Sequence, residues 1–192
     1  MDFDVLSTSL SALQQVTSGV GDDALDRPTP CTEWTVAQVL LHAAGDQHAW
    51  ASIVGSGTLP TYNPFDPPTR PDGSVSELVE AAVAAATSAW DEVDPTSEAV
   101  PTPLPPVPTL PAPLAAAACA LDAAVHAWDV AVATGQPSPL TDDLAASLGP
   151  AARSVAEPLR GFAYAAPLAA DAADGPAAAL LRYLGRDPQW TA

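Results

Sequence analysis

The sequence predicts an all-α fold, an up-and-down four-helix bundle with short extra helices toward the C-terminus. Two observations lead there. Apolar residues recur at helical spacing in four long stretches. The connections between them are rich in proline, and no segment shows the apolar–polar alternation of a half-buried strand. A chain of 192 residues is long enough to bury a core of its own, and residues 1–192 are expected to form a single helical domain.

The first helix is expected over Asp4–Ser18, where Leu6, Leu10, Leu13 and Val16 share one stripe and Gly19 and Gly21 end it. The second is expected to begin near Thr32, whose hydroxyl can cap it while Glu33 complements the helix dipole, and to run through His42 to about Val54. Pro60, Pro64, Pro67, Pro68 and Pro71 make the segment Gly55–Gly73 a loop. Ser74-Val75-Ser76-Glu77 is a capping-box pattern, and the third helix it opens turns Leu78, Val79, Ala82, Val83, Ala86 and Trp90 inward. Eight prolines in Asp94–Pro113 exclude a helix or a central strand there. That segment reads as a long ordered loop across the mouth of a site, with a polyproline interaction linker as the alternative. The fourth helix, Leu114–Thr134, stops at Gly135. Thr141 caps a shorter one over Asp142–Ala156, in which Pro150 predicts a break or kink, and a last helix spans Pro176–Leu184.

The charge balance excludes several roles. Against 23 Asp and Glu stand six basic residues, all arginine and none clustered, for a formal net charge of -17. A surface so acidic repels phosphate backbones and anionic lipid, so neither a nucleic acid nor a membrane is expected as partner. The remaining expectation is a small-molecule substrate, on a monomer or homodimer. The N-terminal MDFDVLSTSL has no basic n-region, so a cytoplasmic protein is expected. Cys31 and Cys119 lack CxxC spacing and read as free thiols.

The fourth helix carries the feature that asks for chemistry. Within LAAAACALDAAVHAWDVAVAT, Asp122, His126 and Asp129 follow one another at spacings of four and three, which stacks them on one helical face. Burying an unpaired charge costs more than the packing of one helix recovers, so these groups need a partner. A metal ion is one candidate, and a hydrogen-bonded core histidine with an i,i+4 carboxylate is the plainer alternative. His42 sits in an equally apolar pattern on the second helix. Together His42, Asp122 and His126 form a three-ligand set with an open position for chemistry. His48 lies about 120° away from His42 around the helix and is not read as a ligand. Asp46, one turn beyond His42, either orients it or faces solvent. Asp129 can accept the ring N–H of His126 or support the open coordination position. Cys119 is read as a small buried hydrophobe. Trp34, Trp50, Trp90 and Trp128 are read as core, and Tyr62 and Phe65 as candidates to line a substrate pocket.

Three segments carry a family resemblance. Thr29-Pro30-Cys31-Thr32-Glu33-Trp34-Thr35-Val36, followed by Leu40-Leu41-His42, resembles the start of the second helix in the DinB-like superfamily, in its mycothiol-dependent maleylpyruvate isomerase branch. Val125-His126-Ala127-Trp128-Asp129 with Ala133-Thr134-Gly135-Gln136 resembles the fourth helix of that branch, and Leu184-Gly185-Arg186-Asp187-Pro188-Gln189-Trp190 the C-terminus of its short free-standing members. The resemblance implies that His42 and His126 are the two histidine ligands of a divalent metal. Asp122 stands where the isomerase has a Glu, one methylene longer. The isomerase has a further C-terminal domain that helps form its active site, so maleylpyruvate isomerisation does not follow from the resemblance.

The implied activity is that of a metal-dependent enzyme activating a low-molecular-weight thiol, mycothiol, for S-transfer or isomerisation. Zinc is the expected ion and nickel its main competitor, since N/O ligand sets on a bundle suit both. A metal-binding protein without catalysis and a metal-dependent hydrolase are the alternatives. The turn residue Cys31 is expected to pack rather than ligate. Counted as helix, the 11 residues to His42 span about 16 Å.

Overall fold

The structure, a computed structural model, describes residues 3–71 and 73–192. Six α-helices account for most of it: α1 (Asp4–Ser18), α2 (Val36–Val54), α3 (Val75–Asp91), α4 (Ala112–Thr134), α5 (Asp142–Ala156) and α6 (Pro176–Tyr183). The expected all-α architecture is present. Helices α1–α4 pack as a bundle in which α4 touches α1, α2 and α5, while α6 leans on α5.

Alanine explains how α4 serves as the centre. It is the best helix former and the smallest side chain that still fills a core, so a run such as Ala115–Ala118 lets helices approach from several sides. Larger groups fill the remaining space: Leu6, Leu10 and Leu13 from α1, Leu40 and Trp50 from α2, and Trp90 from α3 are all buried. The ring of Trp90 meets Phe3 edge-on at 5.4 Å and lies 5.7 Å from Trp50. By length and composition α4 is also apolar enough to cross a membrane, but 89% of that window is buried inside the bundle.

Several boundaries differ from expectation. Helix α2 starts at Val36, capped by Thr35 rather than Thr32, because Thr35 and Gln38 form a reciprocal capping box. The N–H groups of Val36 and Ala37 are taken by the carbonyls of Arg27 and Leu25, which folds the preceding turn onto the helix start. Ser74 caps α3 as expected, accepting from the Glu77 N–H. Leu78 is only half-buried, not turned fully inward. Helix α4 begins at Ala112, two residues early, with Pro113 in its first turn, where a missing N–H costs nothing. Pro150 does not break α5. Both Pro150 and Ala146, whose carbonyl loses its partner, face solvent, while Leu148, Ala151, Ala152 and Val155 hold the other face in the core.

The second proline-rich segment also departs from a plain loop. Val100–Pro101 (β1) pairs antiparallel with Thr109–Leu110 (β2), burying Val100 and Leu110 against the bundle. Residues 94–113 contribute none of the described contacts of His42, Asp122 or His126. Asp122 lies ten residues into α4, about 15 Å along its axis from that hairpin. The loop that reaches His42 is the first one, through Pro64 and Phe65.

Candidate metal centre

His42 from α2 and Asp122 and His126 from α4 are brought together, their ligand atoms all within 4.8 Å of one another. Asp122 Oδ1 lies 3.4 Å from His42 Nε2 and 3.3 Å from His126 Nε2. The two imidazoles cross nearly perpendicularly at 4.8 Å. Asp122 Oδ2 is buried and has no hydrogen-bond partner among the described residues.

Each histidine is held through its other nitrogen. His42 Nδ1 lies 2.7 Å from the Pro64 carbonyl and His126 Nδ1 lies 2.9 Å from Asp129 Oδ2. Both acceptors hold a proton on Nδ1, so each Nε2 is the atom turned to Asp122, donating to it when the ring is charged and offering its lone pair when the ring is neutral. The sequence singled out Asp129 for this role, and the structure puts it there. It did not anticipate Pro64, because a backbone carbonyl leaves no side-chain signature. Asp46 is not the partner of His42. It sits near Asp122 and Trp50, and burial, reinforced by the Asp122 charge, pushes its pKa well up. Cys119 is buried as expected and donates to Gln47 Oε1 at 3.1 Å. His48 is absent from the cluster.

The electrostatics follow from burial and pairing. Burial alone would raise the Asp122 pKa, but the His126 charge and hydrogen bonds from both histidines outweigh it and hold the carboxyl well below its usual range. For His126 burial favours the neutral ring. Asp122 and Asp129 overcome that and raise its pKa well above the usual value. Asp129 is likewise driven low, with Arg186 the chief cause opposing burial.

The first loop forms the outer wall. The Tyr62 hydroxyl donates to the Leu41 carbonyl at 2.7 Å, with burial pushing its pKa up to about 12, so this ring anchors the loop rather than facing a pocket. Phe65 does stand at the site, 5.7 Å from the His42 ring, and it stacks at 5.1 Å with the exposed Phe162. Trp34, read from sequence as core, is half-buried and lies 4.7 Å from His42, while Trp50, Trp90 and Trp128 are core. Gly45, one turn beyond His42, permits the loop's approach: a Cβ there would lie 2.8 Å from Pro64 Cγ. Gly45→Val is expected to lift the loop, break the His42–Pro64 hydrogen bond and cost about 1–3 kcal/mol, visible as a lower melting temperature.

Cys31 joins the opposite end of the cluster. It groups with His126 and Asp129, not with His42 and Asp122, and its Sγ lies 3.3 Å from Asp129 Oδ2 and 3.3 Å from Arg186 Nη2. The helical-rise argument treats residues 31–42 as one helix. The turn before Thr35 instead carries Cys31 across to α4, where it hydrogen-bonds as well as packs. Arg186 is the residue that sequence reasoning missed. It lies within the C-terminal segment that resembled the family, but an isolated arginine 57 residues from Asp129 gives no periodic signal.

Fold and cluster together define a helical bundle with a His/Asp/His group that could hold a metal ion, set between its second and fourth helices. The chain belongs to the mycothiol maleylpyruvate isomerase N-terminal domain family, whose sequence model matches residues 6–131, and so to the DinB-like superfamily. Two relatives in Mycobacterium tuberculosis, "Uncharacterized protein MT0763" of strain CDC 1551 / Oshkosh and "Uncharacterized protein Rv0738" of strain ATCC 25618 / H37Rv, are each 33% identical over 150 residues, covering 77% of this chain and 75% of theirs. No solved structure matches the chain.

Proposed function

We propose that His42, Asp122 and His126 hold one divalent ion, zinc by preference, and that the protein is an enzyme that uses this centre to activate mycothiol for S-transfer or isomerisation. The observation that carries the metal reading is Asp122 Oδ2, a buried and unpartnered carboxylate oxygen beside two imidazole nitrogens whose rings are already fixed from behind. A buried polar atom left unpaired is costly, and a cation shared with both Nε2 atoms satisfies it. The thiol is supported by membership of a family named for mycothiol.

A bound divalent ion supplies Lewis acidity, holding a coordinated thiol as its thiolate near neutral pH. The chain supplies the rest. Pro64 and Asp129 keep both rings in one tautomer, so little reorganisation is needed when a ligand arrives. Trp34 and Phe65 shield the His42 side from water, which strengthens the charge interactions inside. Phe65 and Phe162 offer an apolar surface to whatever accepts the sulfur. Localisation in the cytoplasm, where a reduced thiol pool is available, accords with this chemistry.

Elemental analysis of the tag-free protein is expected to show about one zinc per chain, lost in His42→Ala/His126→Ala; equal metal content in both would refute the site. Titrating the cobalt-substituted protein with mycothiol should add an intense sulfur-to-metal charge-transfer band. A loaded centre without that band would favour a metal-binding role without thiol chemistry.

A further inference from the structure

Asp129 has no exposed surface, yet it is an acidic side chain inside the apolar helix α4. Such a carboxylate is tolerable only if it is paired and saturated with hydrogen bonds. Arg186 does this in bidentate fashion, Nε donating to Oδ1 at 2.9 Å and Nη2 to Oδ2 at 2.9 Å. Oδ2 also accepts from His126 Nδ1 and from the Cys31 thiol. The cluster of Cys31, His126 and Asp129 has the composition of a second cation site. The guanidinium already stands among those atoms as the cation.

The arginine is placed by a dedicated turn. Past α6, Gly185 adopts φ +82°, in the left-handed region, and a Cβ there would meet Ala165 Cβ at 2.7 Å. The Arg186 N–H then bonds the Leu181 carbonyl at 2.8 Å, closing the helix end and aiming the side chain back at α4. All of this lies beyond residues 6–131, the part of the chain matched to the family.

We propose that Arg186 is a positioning residue of the metal centre: acting through Asp129, it holds the His126 ring with Nδ1 on that carboxylate and Nε2 turned to His42 and Asp122, so that Nε2 is the atom left to bind the ion. The inference rests on the metal reading above but concerns a different segment of the chain. It makes the C-terminal segment part of the centre. If Arg186 is replaced, Asp129 loses the two-point clamp that sets its orientation, so its carboxylate is free to turn away from His126 Nδ1 and the ring is free to take the other tautomer.

The test measures zinc affinity by competition with a chromophoric chelator, alongside ¹⁵N NMR of the His126 ring in the metal-free protein at alkaline pH. Arg186→Gln and Asp129→Asn are each expected to weaken zinc binding roughly 10- to 100-fold and to mix the ring tautomers. The double variant should be scarcely weaker than Asp129→Asn alone, because the arginine acts through that carboxylate. Its buried pair is neutral, which keeps the comparison available if Arg186→Gln alone does not fold. Wild-type affinity with an unchanged tautomer in the folded variants would overturn the inference, as would full additivity. A wild-type protein that binds no zinc would instead refute the metal reading, and the NMR tautomers would still decide the role of Arg186.

Discussion

Stripping the metal from purified protein is expected to lower its melting temperature, and more at pH 8 than at pH 6. An ion bound only by the folded state adds RT ln(1 + [L]/Kd), about 4 kcal/mol when free metal stands at roughly a thousand times Kd. For a chain of this size that corresponds to a shift of about 8–16 °C. The pH dependence follows from the sign of each shift. In the metal-free protein the His126 pKa lies above its unfolded value, so its stabilising contribution is complete below the unfolded pKa of 6.5 and is lost as pH rises through the folded pKa. The Asp122 and Asp129 pKa values lie below theirs, so their contribution is present above 3.8 and lost as pH falls through the folded values. Metal must displace the His126 proton, so loading strengthens with pH just where the metal-free protein weakens. Differential scanning calorimetry of loaded and chelated protein at both pH values checks this. Coincident curves after verified metal removal would show that the alanine-rich packing sustains the bundle without the ion.

Trp90→Ala is expected to cost about 3–5 kcal/mol and lower the melting temperature by roughly 6–20 °C, with zinc content per folded molecule unchanged. Its side chain is 1% exposed and fills the space between α1 and α2 through Phe3 and Trp50, neither of which belongs to the metal cluster. Alanine leaves a cavity that helices already closely packed on small residues cannot collapse to fill. Thermal unfolding paired with elemental analysis separates the two effects. A variant that kept its melting temperature would show that the Phe3–Trp90–Trp50 stack is dispensable, and one that lost its zinc would show that core and centre are coupled.

The histidine and carboxylate pattern of α4 was readable because helical geometry is local: residues four and three apart share a face whatever surrounds them. The same holds for α1, whose expected and observed limits agree, and for Ser74, which caps α3 through a bond spanning three residues. Thr32 was expected to cap α2, and Thr35 caps it instead, since either threonine is chemically able to do so. The choice fell to Thr35 because Gln38 completes a box there and because the turn before it is held by Leu25 and Arg27. Pro150 misled for a related reason. Proline removes one local hydrogen bond, but whether a helix breaks depends on which face that bond lies on and what the opposite face buries.

Sequence alone determined the helices, the family, and His42, Asp122 and His126 as candidate ligands, because periodicity, capping and ligand spacing are properties of a short stretch of chain. Tertiary structure alone decided what surrounds them: the Pro64 carbonyl behind His42, the Phe65 ring at its edge, Cys31 beside Asp129, and Arg186 reaching the same carboxylate from the far end of the chain. Those contacts join residues that no local periodicity relates. They exist because a buried carboxylate must find a counter-charge and a buried imidazole an acceptor, and only the packed fold determines which groups are near enough to serve.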